Sequence, residues 1–403
     1  MGVTRCARSV LRSDPGMSSV STLRALPLEQ LRQRTSAKWR SYPADVLPLF
    51  VAEMDFALAP HIVHALQSAV ELGDTGYVAD ENPMKDAFAA FAERRFAWTP
   101  DPARMRSTTD VALGIVEILR RVTKPGERVV IMPPVYPPFY DLVTEAGAVV
   151  ELVPLVDSGT DWQIDLAGVE ASLAAGARAI LLCNPHNPTG TVHSADTLAN
   201  LAKLAKTYGA AVVSDEIHAP LTQQGITFTP FLQASSEASE VGYAVVSASK
   251  TFNLAGLKAA IMVTASDGPT KVLESMPPEV QWRTAQFGML AATAAYAPES
   301  DTWLESLLAT LDENRRLVAS LLAQSLPEAR FRVPQSTYLA WIDLSAYNWG
   351  EDPSKKILRE SKVALNPGPT FGSQGAGHVR LNFGTSPEIL TDAISRIAAL
   401  VHA

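Results

Sequence analysis

The sequence predicts an α/β fold: a mostly parallel sheet with helices on both faces, followed by a smaller α+β unit at the C-terminal end. Three observations predict it. From about Val111 to Val263, short β-branched runs alternate with helical patterns, the form that strand and crossover-helix units take in a chain. The runs themselves, at 129–132, 149–153, 179–183, 211–214, 243–247 and 259–263, are too apolar to leave one face wet. Beyond about Ala285 the pattern changes to long helices, clearest at 301–324, then a strand-like 337–343 and a last helix from Ser386.

The bulk numbers agree. At 403 residues the chain exceeds the size at which one core usually stops growing, so two packed units are expected. A composition of 47% hydrophobic and 19% charged residues is that of a globular protein rather than a disordered one. The net charge of −8 is spread along the chain and leaves no basic stripe, which argues against nucleic acid and anionic membrane as partners. Cys6 and Cys183 are the only cysteines and support no disulfide framework, which suits a reducing cytoplasm.

In chain order, 1–17 reads as a leader or a start-site extension. It carries Arg5, Arg8 and Arg12, no apolar segment follows them, and Met17 stands after Pro15-Gly16 as an alternative start. The expected organisation is then an N-terminal segment over 18–50 packing on the small domain, a large domain over 51–285 and a small domain over 286–403. Gly372 to Gly377 is glycine-rich but lacks the strand-to-helix context of a nucleotide loop. His61 and His64 share a helix without further ligands at a recognisable spacing, so no metal site is expected.

In a sheet of this kind ligands bind beyond the carboxyl ends of the strands. Tyr136, Asn187, Asp215 and Lys250 each follow a strand end, so one crevice can collect them. Asp215 ends an apolar strand, where a carboxylate needs a cationic partner or a helix to cap. Asn187 stands in the stiff turn Asn184-Pro185-His186-Asn187-Pro188-Thr189-Gly190, as an aimed amide or a simple turn residue. His218 follows Asp215 by three residues, and Tyr136 offers a flat ring face or plain loop packing. Val111 and Ala112 open a helix whose first N–H groups suit a phosphate, with Asp110 as its cap. Ser247, Ser249 and Lys258 surround Lys250 with hydroxyls and a second cation. Arg380 interrupts an alternating strand in the second unit, where its planar fork suits a carboxylate or simply faces solvent. A lysine amine, a carboxylate for a ring nitrogen, donors for a ring oxygen and a phosphate cradle are together what pyridoxal 5′-phosphate (PLP) requires.

Asn187-Pro-Thr-Gly, Asp215-Glu-Ile-His218 and Ser247-Ala-Ser-Lys250, in that order, resemble the class I and II aminotransferase superfamily, fold type I of the PLP enzymes. Pro133-Pro-Val-Tyr136-Pro-Pro-Phe, Ser249-Lys-Thr-Phe-Asn and Gln335-Ser-Thr-Tyr-Leu-Ala-Trp341 resemble its cystathionine β-lyase branch, and the likeness runs from about Trp39 onward. The resemblance implies a seven-stranded sheet and a homodimer with shared sites. It implies Lys250 for the imine, Asp215 for the pyridine nitrogen, Asn187 and His218 for the ring oxygen and Tyr136 for stacking. Val111, Ala112, Ser247, Ser249 and Lys258 fall to the phosphate, Tyr77 to the phosphate of a partner subunit, and Arg380, Asp55 and Tyr338 to the substrate. Two departures stand out: Glu53, where the branch more often has aspartate, and Lys258, where the superfamily more often has arginine.

The expected reaction is α,β-elimination from cystathionine or another S-substituted cysteine, giving a thiol, pyruvate and ammonia. An aminotransferase on the same scaffold is the second reading, and a PLP-binding regulatory protein the third.

Overall fold

The computed structural model describes residues 22–78 and 83–401. Its centre is a seven-stranded sheet in the order Met105–Thr108, Ala260–Val263, Gly242–Val246, Ala211–Asp215, Ala179–Cys183, Arg128–Ile131, Val149–Leu152. The last five run parallel, and Ala260–Val263 pairs antiparallel with both of its neighbours. Alternate residues go to opposite cores. Val129, Leu181, Val213, Val245 and Met262 pack under the helices Val111–Val122 and Pro138–Glu145, while Val130, Ile180, Val212, Ala244 and Ile261 join the core on the other face. Burial on both sides is why these strands read as continuous apolar runs.

The helix Val111–Val122 lies very close to the sheet. A Cβ on Gly114 would come within 3.0 Å of Val245 Cγ1, so only glycine lets the helix approach this far. Asp110 fixes its start, accepting a hydrogen bond from Leu113 N at 2.8 Å.

The smaller unit is a four-stranded antiparallel sheet, in the order Arg330–Phe331, Leu339–Asp343, His378–Asn382, Asn366–Pro367, with helices Asp301–Ser325 and Pro387–Ala398 packed together. The N-terminal segment packs on it, Leu47–Pro48 pairing in parallel with Val363–Ala364 and Leu23 N donating to Thr310 Oγ1 at 2.7 Å. The boundary expected at 285 needs correction. Helix Gln286–Tyr296 packs on Pro60–Leu72 and Pro83–Phe96 of the large unit, so the change of unit falls near the turn Pro298–Ser300. Cys183 is buried and free, whereas Cys6 and the leader expected over 1–17 lie outside the described residues. Among the described residues no helix is long and apolar enough to cross a membrane.

Candidate active site

The sheet reverses direction at Arg128–Ile131: the chain moves outward to Val149–Leu152, then crosses back to place Ala179–Cys183 on the other side. Loops after these strands diverge there and leave a crevice. It has a volume of about 250 Å³, and its lining includes Asp110, Val111, Ala112, Tyr136, Asn187, Asp215, His218, Ser247, Ser249, Lys250 and Lys258. Ten of the residues expected at a PLP site therefore share one wall.

Lys250 follows strand Gly242–Val246 on a tight loop, and its Nζ donates to the Ala52 carbonyl at 3.0 Å. Burial, reinforced by the Arg380 charge, brings its amine down to about 8. The loop is flanked by two residues in the left-handed conformation, Asn253 (φ 60°) and Lys258 (φ 58°), a backbone cost that packing around the site must offset. Asp215, at the end of its strand, receives Ile217 N at 3.1 Å, and burial still raises its carboxyl to about 6. A cation placed against it would reverse that shift. His218 is buried and held neutral, its pKa pushed down to about 3 by burial and by the Lys250 and Arg380 charges, and its Nδ1 has no hydrogen-bond partner among the described residues.

Asn187 is aimed by both units. Its Oδ1 accepts from Arg380 Nη1 at 3.0 Å, which turns its amide NH₂ away from Arg380 and leaves it as the available donor. The turn carrying it is locked against the small unit: Gly190, at φ 71°, accepts Gln335 N and Ser336 N at 3.0 Å, and a Cβ there would lie 2.2 Å from Pro334 Cβ. Arg380 is buried, donates also to Phe50 O at 2.9 Å, and its Nε has no partner among the described residues. Burial lowers its pKa only to about 10, so it stays cationic at neutral pH.

Val111 and Ala112, at the first turn of their helix, line the crevice together with Ser249 and Lys258. Lys258 Nζ is paired with Asp110 Oδ2 at 2.8 Å. The Ser247 hydroxyl is already used: it donates to Ala259 O at 2.7 Å and accepts from Ser249 N at 3.1 Å, so it shapes the lysine turn. Tyr136 lines the crevice and meets Phe139 edge-on at 5.9 Å, and burial raises its hydroxyl pKa.

Four expected residues are not part of this lining: Arg380, which reaches it through Asn187, and Asp55, Tyr338 and Tyr77. Asp55 does not face the crevice: it is fully buried, pairs with Lys38 Nζ at 2.7 Å and accepts Trp39 Nε1 at 3.2 Å, so its carboxylate is spent on holding the N-terminal segment. Tyr338 is fully buried behind the site and donates to Ala52 O at 3.0 Å, the same carbonyl that receives Lys250. Tyr77 is 99% exposed, away from the crevice of its own chain.

Reading the sequence missed the backbone carbonyl of Ala52, which no side-chain motif can signal. It also missed Cys183, whose Sγ accepts Asn187 N at 3.3 Å beneath the turn. Glu216, a buried carboxyl raised to about 8 by desolvation, accepts Ser214 Oγ and Phe231 N beside Asp215. Its place in Asp215-Glu216-Ile217-His218 was the available signal.

The family model for aminotransferase class I and II matches residues 45–397. A candidate cystathionine β-lyase of Mycobacterium leprae is 43% identical, covering 94% of this chain and 98% of its own. The cystathionine β-lyase PatB of Bacillus subtilis is 33% identical over 88% of this chain and 92% of its own. Among solved structures, that of a candidate PLP-dependent β-cystathionase from Corynebacterium diphtheriae superposes with a TM-score of 0.90 at 34% identity, covering 94% of this chain and 99% of the other. The chain belongs to the class I and II aminotransferase family, on the branch that includes PatB.

Proposed function

We propose that this protein is a PLP-dependent carbon–sulfur β-lyase that converts cystathionine or a related S-substituted cysteine, with water, into a thiol, pyruvate and ammonia. The observation that carries it is the convergence of Lys250, Asp215, Asn187 and His218 on one crevice at the reversal of the sheet. The residues fit the cofactor. Asp215 is a buried carboxylate in want of a cation, and His218 Nδ1 is a buried polar atom in want of a partner, as a pyridine nitrogen and a ring oxygen would supply.

When bound, PLP supplies an aldehyde for an amine and an electron sink for charge developing at Cα. Asp215 would hold the ring nitrogen, the Asn187 amide and His218 the ring oxygen, and Tyr136 a ring face. Val111 N–H, Ala112 N–H, Ser249 and Lys258 would hold the phosphate. Arg380, braced by Asn187 and the Phe50 carbonyl, orients the substrate α-carboxylate. Lys250, with an amine that is partly neutral near pH 8, takes the proton from Cα and can return it at the same place.

A second copy of the chain completes the proposed assembly. Tyr77, Leu72 and Trp282 are exposed to 99%, 81% and 56%, and a homodimer would cover them while bringing Tyr77 to the neighbouring site. The cytoplasm remains our reading of location, on the sparse cysteines.

The test is product analysis of the PLP-loaded protein with cystathionine and no 2-oxo acid. Pyruvate and free thiol in equal amounts are expected, and Lys250→Ala abolishes both. Nitrogen transfer that requires an added 2-oxo acid, with no pyruvate, would make the protein an aminotransferase instead.

A further inference from the structure

Next to the crevice lies a second groove, of about 440 Å³, lined in part by Gln33, Arg34, Ser36, Glu53 and Asn253. Ala255 lines both spaces. Glu53 is one residue beyond Ala52, whose carbonyl receives the Lys250 amine, and its negative charge is felt by both Lys250 and the Tyr338 hydroxyl.

The groove is braced by hydrogen bonds and carries one carboxylate without an ion-pair partner among the described residues. Both backbone groups of Met54 bond the Asn253 side chain at 2.9 Å, and the Glu53 carbonyl accepts Lys38 Nζ at 2.9 Å and Asn382 Nδ2 at 2.7 Å. Arg34, the other charged residue of the lining, donates to the carbonyls of Met54 and Phe56 and stands 4.0 Å from Asp55. Glu53 accepts Ser36 Oγ at 2.6 Å on Oε1 and has no ion-pair partner among the described residues. A carboxylate held in place by its backbone, oriented by a hydroxyl and left without a cation is a preorganised acceptor for a positively charged ligand group.

The geometry points to this groove as the subsite for the departing half of the substrate, with Glu53 receiving an ammonium group on the thiol side. The inference rests on the β-lyase reading above and narrows it to S-substituted cysteines whose leaving group is cationic or zwitterionic. Neutral alkyl thioethers leave Glu53 without a partner and are disfavoured.

The test compares S-(2-aminoethyl)-L-cysteine with S-propyl-L-cysteine, which match in size and differ in the terminal charge, using the PLP-loaded protein. The expected ratio of kcat/KM favours the aminoethyl substrate by about tenfold, equivalent to ~1.4 kcal/mol. Glu53→Gln, which can still accept Ser36, brings the ratio close to one, and Glu53→Asp recovers part of it. General damage to the site would lower both substrates and leave the ratio standing. A wild-type ratio of one or less, or a ratio that Glu53→Gln leaves in place, overturns the subsite. If neither these compounds nor cystathionine yields pyruvate, the lyase reading has failed. The binding ratio, from titration of the cofactor absorbance with each amino acid, then tests Glu53 by itself.

Discussion

Lys250 and Asp215 illustrate how burial tunes single residues for a task. Desolvation moves the lysine amine down to about 8 and the aspartate up to about 6, each toward its neutral form. The lysine amine is thereby brought toward its neutral, basic form at a pH closer to the physiological range. Cofactor-free protein labelled with an amine-reactive reagent at a series of pH values should show Lys250 modification rising through about pH 8. Peptide mass spectrometry follows this site by site. Lys38 works in the opposite way: it is fully buried yet matched by Asp55. Lys38→Ala removes the close cation and leaves the buried carboxylate with the Trp39 indole and Arg34 at 4.0 Å, which should cost on the order of 3 kcal/mol in urea unfolding. The resemblance that names Asp55 for the substrate cannot show this pair, because Lys38 lies a whole segment earlier in the sequence and only packing brings the two together.

At the scale of elements, the helix Val111–Val122 was legible from its periodicity and cap, and so were the strands buried on both faces. Met105–Thr108 was not: four residues with an arginine, a serine and a threonine carry no apolar run, and pairing along one edge alone makes them a strand. The direction of Ala260–Val263 was equally hidden, because a fully buried strand has the same pattern whichever way it runs. Asp110 has two roles at the helix start, as cap for Leu113 N and as counter-ion for Lys258. Asp110→Asn keeps the first and removes the second. The freed Lys258 and the loss of one negative charge should tighten PLP binding several-fold, read from a titration of cofactor into stripped protein. Asp110→Ala also loses the cap, at about 1 kcal/mol in thermal or urea unfolding.

For the whole molecule, the two units meet beside the crevice, and the proposed site draws on both. The large unit supplies Lys250, Asp215 and Asn187, and the small unit supplies Arg380, with the Asn187–Arg380 hydrogen bond as the tie between them. The order of these residues along the chain was readable because strand-end loops in such a sheet converge, whereas the unit boundary was not, since helix Gln286–Tyr296 is as apolar as either side requires. Exposed Tyr77, Leu72 and Trp282 predict a dimer in solution: sedimentation should give twice the mass of the chain, and Tyr77→Ala should weaken PLP retention without dissociating the pair.

The carbonyl of Ala52 is the one group that receives both the working amine and a hydroxyl from the small unit. An oxygen with two lone pairs can take both, and losing one donor does not strand it. Lys250 can therefore swing toward a substrate while Tyr338 stays in place. When the Lys250 amine leaves for the cofactor, the chain at Ala52 would stay moored by the Tyr338 hydroxyl.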